Sequence, residues 1–364
     1  MSEQLLQTAC CDWHAAHNGR MVDFAGWNMP VQYTTITEEH QAVRTAAGLF
    51  DIAHMGRLKF TGPDACRFLD RIVTNDVAKL NVGDIRYALV TNEQGGILDD
   101  VLVYRFEDCY FLVVNASNRL KIVDWIGQHQ SGFNFAMEDL TQSHFMLAIQ
   151  GPRALAIATP LLGNDPAELK YYTGTETTVQ GEWGIVSRTG YTGEDGCEII
   201  VPTSRGLALW EALIEAGREH GLLPTGLGCR DTLRLEAAMP LYGHELNESI
   251  DPYTAGLAFG VKLNAAEFIG RDAVAAAKAR TDRPKRVGLE LEGRRIAREH
   301  TLVYSGDRQT GEVTSGTFSP TLQKPIAMAY VAPQDAEPGT VLEVDLRGKR
   351  LPAKVVKLPF YSRG

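Results

Sequence analysis

Helical spacing of apolar residues recurs along the chain. It predicts a helix from Glu38 to Ala47, ended by Gly48, and a clearer one in "GPDACRFLDRIVTND", where Pro63 suits the first turn. Further helices are predicted in "NRLKIVDWIGQH", in "RGLALWEALIEAGREHG" and from about Arg230 to Met239.

Strand patterns lie between these helices. "IRYALVTNEQGGILDDVLVYRF" predicts two strands around a turn at about Asn92 to Gly96, and "CYFLVVNASN" predicts a third. "GEWGIVSRTGYTGEDGCEIIVP" predicts another pair of strands around a Gly-rich turn. Because helices and strands mix without regular βαβ spacing, the predicted fold class is α+β rather than a doubly wound parallel sheet.

The last part of the chain has a different pattern. Positive charge concentrates around a proline from Lys278 to Arg286, which we interpret as a linker and domain boundary. Five short strand patterns follow, in "VGLELEG", "HTLVYSG", "GEVTSGTFSP", "PIAMAYV" and "TVLEVDL". Short strands spaced by turns predict a small terminal β-barrel or sandwich.

Composition narrows the classes of function. The net charge of the 364 residues is -9, which argues against a general binder of nucleic acid or acidic membranes. No window approaches the about 18 apolar residues of a membrane span, and no secretory signal is visible, so we expect a cytoplasmic protein. The six cysteines form no CxxC pair and the nine histidines no HExxH, so no metal site is predicted. His14 and His17 fit one helix face, but no third ligand is evident.

Two adjacent carboxylates stand in an apolar strand pattern, "GGILDDVLVY". Strands seldom contain Asp, and alternation points Asp99 and Asp100 to opposite faces, so they cannot form one dyad. Either both cap the turn at the rim of the sheet, or one of them faces a pocket and exchanges a proton with a ligand nitrogen.

The Gly-rich turn "SRTGYTGEDGCE" is a second candidate site. Its three carboxylates, on Glu194, Asp195 and Glu198, would repel a phosphate, and the GxxxxGK[ST] signature is missing. A carboxylate suits instead a heterocycle rich in N–H groups, such as a pterin or guanine. The alternative is an acidic turn that faces solvent.

Two arginines follow in "GLGCRDTLRLE". Arg230 and Arg234 lie four residues apart, with acidic residues nearby. They either form structural ion pairs, or Arg230 reaches into a site as a fixed cation.

Seven segments in fixed order carry a family resemblance. They are "GRMVDFAGWNMPVQY", "AVRTAAGLFDIAHMG", "GGILDDVLVY", "GYTGEDGCE", "GLGCRDTLRLEA", "LYGHELNESIDPY" and "GEVTSGTFSPTLQKPIAMAYV". Together they resemble the aminomethyltransferases of the glycine cleavage system, the T proteins, from about Gly19 to Tyr361.

The resemblance implies a fold of three domains around a central opening. Two are α+β and partly discontinuous, residues 1–50 plus 140–245 and residues 51–139 plus 246–280, and the third is a β-barrel of residues 281–364. It also implies tetrahydrofolate as co-substrate and, as partner, the lipoylated H protein, whose aminomethyl group supplies the methylene carbon. The products implied are methylenetetrahydrofolate, ammonia and the dihydrolipoyl H protein. We expect a monomer that binds neither nucleic acid nor membrane.

Matching motif positions transfer the family's site residues to this chain. Asp100 is the implied catalytic residue and faces the folate, Glu198 contacts the pterin, and Arg230 contacts the folate. The other implied pocket residues are Met55, Tyr87, Asn115, Tyr191 and, more loosely, Tyr361. One position departs from the pattern, because Phe259 stands where the family often has Trp.

Two rival functions stay open. One is a folate-binding scaffold without turnover. The other is a folate-dependent demethylating component, although the flavin-binding GxGxxG motif of the related oxidases is missing from this sequence.

Overall fold

The computed structural model describes residues 4–265 and 267–363. The helices are α1 (Cys11–Ala16), α2 (Ile36–Thr45), α3 (Ala65–Ile72), α4 (Arg119–His129), α5 (Ala154–Ala158), α6 (Thr203–Gly217), α7 (Leu227–Glu236) and α8 (Arg271–Ala279). The strands are β1 (Met21–Phe24), β2 (Trp27–Pro30), β3 (Ala47–Asp51), β4 (Gly56–Thr61), β5 (Ile85–Thr91), β6 (Ile97–Arg105), β7 (Tyr110–Val114), β8 (Ala136–Asp139), β9 (His144–Gln150), β10 (Gly174–Val179), β11 (Glu182–Ser187), β12 (Gly196–Pro202), β13 (Leu222–Pro224), β14 (Lys285–Leu291), β15 (Leu302–Ser305), β16 (Arg308–Ser319), β17 (Lys324–Val331), β18 (Val341–Asp345) and β19 (Arg350–Val356).

Two compact units divide the chain, and each draws on separate stretches of sequence. The first unit contains the chain up to Asp70, Asp76–Tyr87 and Val101–Arg230. The second unit contains Arg71–Asn75, Ala88–Asp100 and the chain from Asp231 onward. Strands β5 and β6 and helix α7 therefore each contribute residues to both units. The boundaries of the three domains expected above stay a prediction.

A mixed six-stranded sheet forms the core of the first unit. Its strand order is β10-β11-β12-β9-β3-β13, and only β13 runs parallel to its neighbour. Helix α6 packs on this sheet through Gly206, Leu209, Trp210, Leu213 and Gly217, which recur at helical spacing. The helix predicted in this segment is confirmed, and its buried face covers strand β9.

A five-stranded sheet has the order β5-β6-β7-β4-β8. The turn between β5 and β6 lies at Asn92–Gly96, as the sequence predicts. Oδ1 of Asn92 accepts hydrogen bonds from the backbone N–H groups of Gln94 at 3.0 Å and Gly96 at 2.8 Å. Gly95 has a φ of 81°, a backbone conformation that glycine adopts without strain.

The second unit contains a closed barrel of six strands in the order β14-β17-β16-β15-β18-β19. Alternate residues of β14, Val287, Leu289 and Leu291, are buried in its core. The predicted terminal barrel is confirmed. The sequence indicated five of its strands; β19 was missed because Pro352 lies within it, and proline argues against a strand.

Two element boundaries differ from the prediction. Helix α2 begins at Ile36 rather than Glu38, because Thr35 and Glu38 form a capping box. Gly48 does not end that helix but lies in β3, where a Cβ atom would meet Cγ2 of Val43 at 2.4 Å. This glycine is required by close packing rather than by a helix terminus.

No helix in the described part of the chain is both long and apolar enough to cross a membrane. All six cysteines are free thiols.

A buried ion pair joins α7 to the barrel within the second unit. The Arg234 guanidinium donates to Glu245 at 2.8 Å and to the Ser315 hydroxyl at 2.8 Å, and the Thr314 hydroxyl donates to Glu245 at 2.6 Å. The two charged side chains are 2% and 0% exposed. Burial raises the pKa of Glu245, but the Arg234 charge and the hydroxyl donors outweigh it, so this pKa lies below its ordinary value.

Replacing Arg234 by Met is expected to lower the free energy of unfolding by about 3–5 kcal/mol, because it leaves the Glu245 charge buried and unpaired. Lys324→Met is the control, since Lys324 pairs with Glu290 at 3.0 Å while 42% exposed and should contribute less than about 1 kcal/mol. Urea denaturation measures both losses. Equal losses in the two variants would contradict the role given to the buried pair.

Candidate functional site

A buried carboxylate, Glu198, lies on a central strand of the first unit's six-stranded sheet. It is 7% exposed and lies on β12, opposite Ala148 of β9 and Ser187 of β11. The Thr189 hydroxyl donates to Oε2 of Glu198 at 2.5 Å, and the Ser187 hydroxyl lies 2.8 Å from that of Thr189. The pairing register therefore fixes the position of Glu198, and neutral hydroxyls hold its carboxyl group.

The Tyr104 hydroxyl lies close to Glu198. The tyrosine is on β6 and is 1% exposed, and Ser187 and Thr189 are polar neighbours of its hydroxyl, which makes no well-aligned hydrogen bond within the described structure. Burial and, secondarily, the charge of Glu198 raise the pKa of Tyr104, so it stays a phenol.

Arg230 stacks on the aromatic ring of Tyr191. Its guanidinium carbon lies 4.6 Å from the ring centroid, within the range of a cation–π interaction. Burial raises the pKa of Glu198, and this effect outweighs the Thr189 hydrogen bond and the attraction of Arg230, both of which lower it. The first unit thus brings together three of the predicted site residues, Tyr191, Glu198 and Arg230.

Arginines neutralise the other two carboxylates of the Gly-rich turn. Glu194 pairs with Arg44 at 2.9 Å, and Asp195 pairs with Arg188 at 2.6 Å. The expectation that three carboxylates of this turn would repel a phosphate is therefore wrong, because two of them already form ion pairs with arginines. Glu194 and Glu198 are both buried, so the alternative of an acidic turn facing solvent is also wrong.

The Gly-rich turn is held rigidly against strand β9. The Gln150 side chain donates to the Thr189 carbonyl at 3.1 Å and accepts from the Thr192 hydroxyl at 3.0 Å. A Cβ atom on Gly190 would lie 2.0 Å from Oε1 of Gln150. A side chain at this position would displace the Gln150 side chain, which holds the turn through Thr189 and Thr192.

The loop between β3 and β4 carries Met55, another predicted site residue, which is partly exposed. Its neighbour His54 is 2% exposed, and Nδ1 of this histidine makes no hydrogen bond within the described structure. Burial, together with the nearby charge of Arg230, lowers the pKa of His54 to about 3. The imidazole is therefore neutral at physiological pH. Arg57 fixes the loop by donating to the carbonyls of Ala53 at 3.0 Å and Met55 at 2.5 Å.

The remaining predicted residues fall in both units. Tyr87, on β5, and Asn115, directly after β7, are partly exposed residues of the first unit. Asp100, Phe259 and Tyr361 belong to the second unit. Phe259 is 61% exposed, and Tyr361 is partly exposed, with its backbone N–H donating to the Glu236 carbonyl at 2.9 Å.

The two adjacent carboxylates of β6 differ in burial. Asp99 is fully buried, whereas Asp100 is partly exposed. This difference agrees with side chains that alternate between the faces of a strand. Of the pair, Asp100 is the one with solvent-accessible surface.

The two arginines of α7 make different contacts. Arg234 forms structural ion pairs with Glu245 and, at 2.8 Å, with Asp231. Arg230 stacks on Tyr191 instead.

One cluster has the composition of a metal site: Cys10, His14 and Asp51 place possible ligand atoms within 4.8 Å of one another. Nε2 of His14 is bonded to Asp51 at 2.9 Å and Nδ1 to the Tyr33 hydroxyl at 2.8 Å. Burial raises the pKa of the Cys10 thiol, which keeps it protonated. A thiol and an imidazole with both nitrogens occupied do not fit a metal ion.

Sequence reasoning missed the groups that hold the site. Thr189 stands in the Gly-rich turn segment and Tyr104 in the strand segment of Asp100. Tyr104 lies four residues after Asp100, so strand alternation places both side chains on the same face, and this spacing could have identified Tyr104. The pairing of Arg44 with Glu194 spans 150 residues and had no local signal.

Comparisons with known proteins agree with one another. A family profile described as the GCVT N-terminal domain matches residues 10–265, and one described as the glycine cleavage T-protein C-terminal barrel domain matches residues 285–362. A protein of Streptomyces coelicolor named aminomethyltransferase is 47% identical over 100% of this chain and 99% of its own length. One of the same name from Symbiobacterium thermophilum is 48% identical over 99% of this chain and 98% of its own. The crystal structure of glycine cleavage system aminomethyltransferase T from Bartonella henselae superposes with a TM-score of 0.92 at 33% identity, covering 98% of each chain.

The raised pKa of Glu198 predicts a pH-dependent stability difference. Above the ordinary glutamate pKa of about 4.3, the unfolded chain ionises first, so the folded protein loses stability as pH rises through the folded pKa. Glu198→Gln cannot ionise, and its melting temperature relative to wild type is therefore expected to rise between about pH 4 and pH 8. Thermal unfolding across this range measures the difference. Glu219→Gln, at an exposed position, is the control for the loss of one negative charge. A difference in melting temperature between Glu198→Gln and wild type that stays constant with pH would contradict the prediction.

Proposed function

The chain belongs to the glycine cleavage T-protein family and is an aminomethyltransferase of the glycine cleavage system, and we propose that it transfers the methylene carbon of an aminomethyl group, carried on the lipoyl arm of H protein, to tetrahydrofolate. The proposed products are methylenetetrahydrofolate, ammonia and the dihydrolipoyl H protein.

The arrangement of Glu198, Arg230 and Tyr191 is the observation that supports a pterin as ligand. The edge of a pterin offers an amide N–H and an amino group side by side, next to a carbonyl oxygen. A carboxylate accepts from both N–H groups, and a guanidinium donates to the carbonyl. Glu198 is buried and bonded to a hydroxyl, and Arg230 lies on the ring of Tyr191, so one cluster supplies both kinds of group.

Asp100 is the proposed catalytic residue. The amine must leave as neutral ammonia, so its nitrogen must gain a proton, while the attacking folate nitrogen must keep its lone pair free. We assign to Asp100 a hydrogen bond to a folate nitrogen, which positions that nitrogen against the thioether carbon, and a part in moving the proton. Partial exposure of Asp100 supports this role over its buried neighbour Asp99.

A local basic region supports an acidic partner despite the net charge of -9. Within the second unit, Lys278 and Arg283 each lie 5.9 Å from the ring centroid of Tyr253. We propose that this region helps to dock an acidic lipoyl-carrying protein.

Asp100→Asn is expected to lower turnover by about two to four powers of ten if Asp100 carries protons or charge, and by much less if it only positions the folate. The measurement is ammonia release from aminomethylated H protein in the presence of tetrahydrofolate. Asp108→Asn, which removes an exposed carboxylate just beyond the same strand, is the control and should keep wild-type turnover.

The same assay separates the rival functions. A variant Asp100→Asn that binds tetrahydrofolate and turns over at the wild-type rate would exclude both roles of Asp100. A wild-type protein that binds tetrahydrofolate but releases no ammonia would be a folate-binding scaffold. Formation of methylenetetrahydrofolate from a small methylamine and an oxidant, without lipoylated protein, would indicate a demethylating component.

Turnover with H protein is expected to fall steeply as ionic strength increases, because salt screens the attraction between the basic region and the acidic partner. Initial rates measured across a sodium chloride series at limiting H protein give the dependence. Rates that do not change with salt would show that docking is not electrostatic.

A further inference from the structure

A chain of buried hydrogen bonds connects two segments of the first unit that carry site residues. At one end, Oδ1 of Asp51 accepts from the Ala53 N–H at 2.9 Å. Oδ2 of Asp51 is bonded to Nε2 of His14 at 2.9 Å, and Nδ1 of His14 to the Tyr33 hydroxyl at 2.8 Å. Asp51 thereby holds the start of the loop that carries His54 and Met55.

The chain continues from Tyr33 to the start of helix α7. Oε1 of Glu39 accepts from the Tyr33 backbone N–H at 2.6 Å and from that of Thr34 at 3.1 Å. Oε2 of Glu39 accepts from the Gly226 N–H at 2.8 Å. Gly226 directly precedes α7, the helix of Arg230, and its carbonyl accepts from the Arg230 N–H at 3.1 Å.

Asp51, His14, Tyr33 and Glu39 form what we call the relay. All four are buried: His14 and Glu39 are 0% exposed, Asp51 5% and Tyr33 9%. Replacing buried polar groups by apolar ones of similar volume is often neutral or stabilising, so burial alone does not require these residues. A fully bonded buried network does fix one arrangement of the segments that it joins.

The relay leads to His54 at one end and to Arg230 at the other. The Arg230 charge acts on His54, and His54 follows the Ala53 N–H that Asp51 holds. The relay residues themselves are not among the residues placed at the site.

We propose that Asp51, His14, Tyr33 and Glu39 are positioning residues, which set the distance between the His54–Met55 loop and Arg230 and thereby the affinity for the pterin. This inference rests on the proposed function, because it takes Arg230 and Met55 as folate contacts.

Tyr33→Phe tests the relay, since it removes only the hydroxyl that binds His14. The matched control is Tyr330→Phe, which removes a hydroxyl that donates to the Glu245 carbonyl at 2.8 Å in the second unit. We expect the KM for tetrahydrofolate to rise about tenfold in Tyr33→Phe while kcat stays within about threefold, because the binding geometry changes and the chemical groups do not. Tyr330→Phe should leave both constants unchanged.

A second readout reports the spacing directly. In the wild type, burial and the charges of Arg230 and Arg57 outweigh the opposing charge of Asp51 and keep the pKa of His54 at about 3, so its ring should not titrate between about pH 5 and pH 9. In Tyr33→Phe the loop should move away from Arg230, which should raise the pKa of His54. The His54 ring should then begin to titrate at about pH 5. Nuclear magnetic resonance of ¹⁵N-labelled histidine rings measures it, with His54→Gln used for assignment. Lost stability alone would not change the titration of His54 in the folded protein.

Glu39→Gln is the second variant and disrupts the relay at its other end, next to helix α7. A glutamine has one acceptor oxygen, so it keeps either the Tyr33 or the Gly226 hydrogen bond but not both. A change in KM and in the His54 titration in either variant, with Tyr330→Phe unchanged, supports the relay.

The inference is overturned if the folded variants bind folate and titrate as the wild type does. If the wild type releases no ammonia from aminomethylated H protein, the proposed function fails, whereas the His54 titration still decides whether the relay sets the spacing.

Discussion

Buried ionisable groups held by neutral hydrogen-bond partners are the constraint on which the candidate site of the first unit depends. Glu198 is bonded to a hydroxyl, Glu39 accepts from three backbone N–H groups, and Arg57 donates to backbone carbonyls. Such partners satisfy hydrogen bonds without cancelling the charge. The electrostatic effect of such a group on its surroundings is therefore not cancelled, as the raised pKa of Tyr104 beside Glu198 indicates. A salt bridge would hold the same side chains equally well but would remove most of that effect.

Local patterns were sufficient to predict much of the fold. The turn at Asn92–Gly96 and helix α6 were correct because their signals, turn chemistry and apolar spacing, lie within a few residues of each other. Helix α7 begins at Leu227, three residues before its predicted start, where Glu39 accepts from the preceding Gly226 N–H across 187 positions of sequence. Boundaries set by such distant partners cannot be read from a window of sequence.

For the candidate site, too, the sequence indicated some groups and not others. Glu198, Arg230 and Tyr191 were named as candidates because each stands in a recognisable motif, and the structure brings these three together. The sequence did not indicate the hydroxyl of Thr189 that holds Glu198 or the buried imidazole of His54. Buried polar contacts arise from tertiary packing, so the sequence shows the groups but not their partners.

The interleaved course of the chain has a consequence for synthesis. The first unit draws on sequence up to Arg230, and the second unit takes Arg71–Asn75 and Ala88–Asp100 from within that span. On a ribosome, the first unit therefore has all its residues while the barrel has yet to be made. Most of the second unit, including the barrel, is synthesised more than a hundred residues after the stretch that carries Asp100. The first unit can therefore fold during synthesis, whereas Ala88–Asp100 belongs to a unit whose remaining residues mostly follow later.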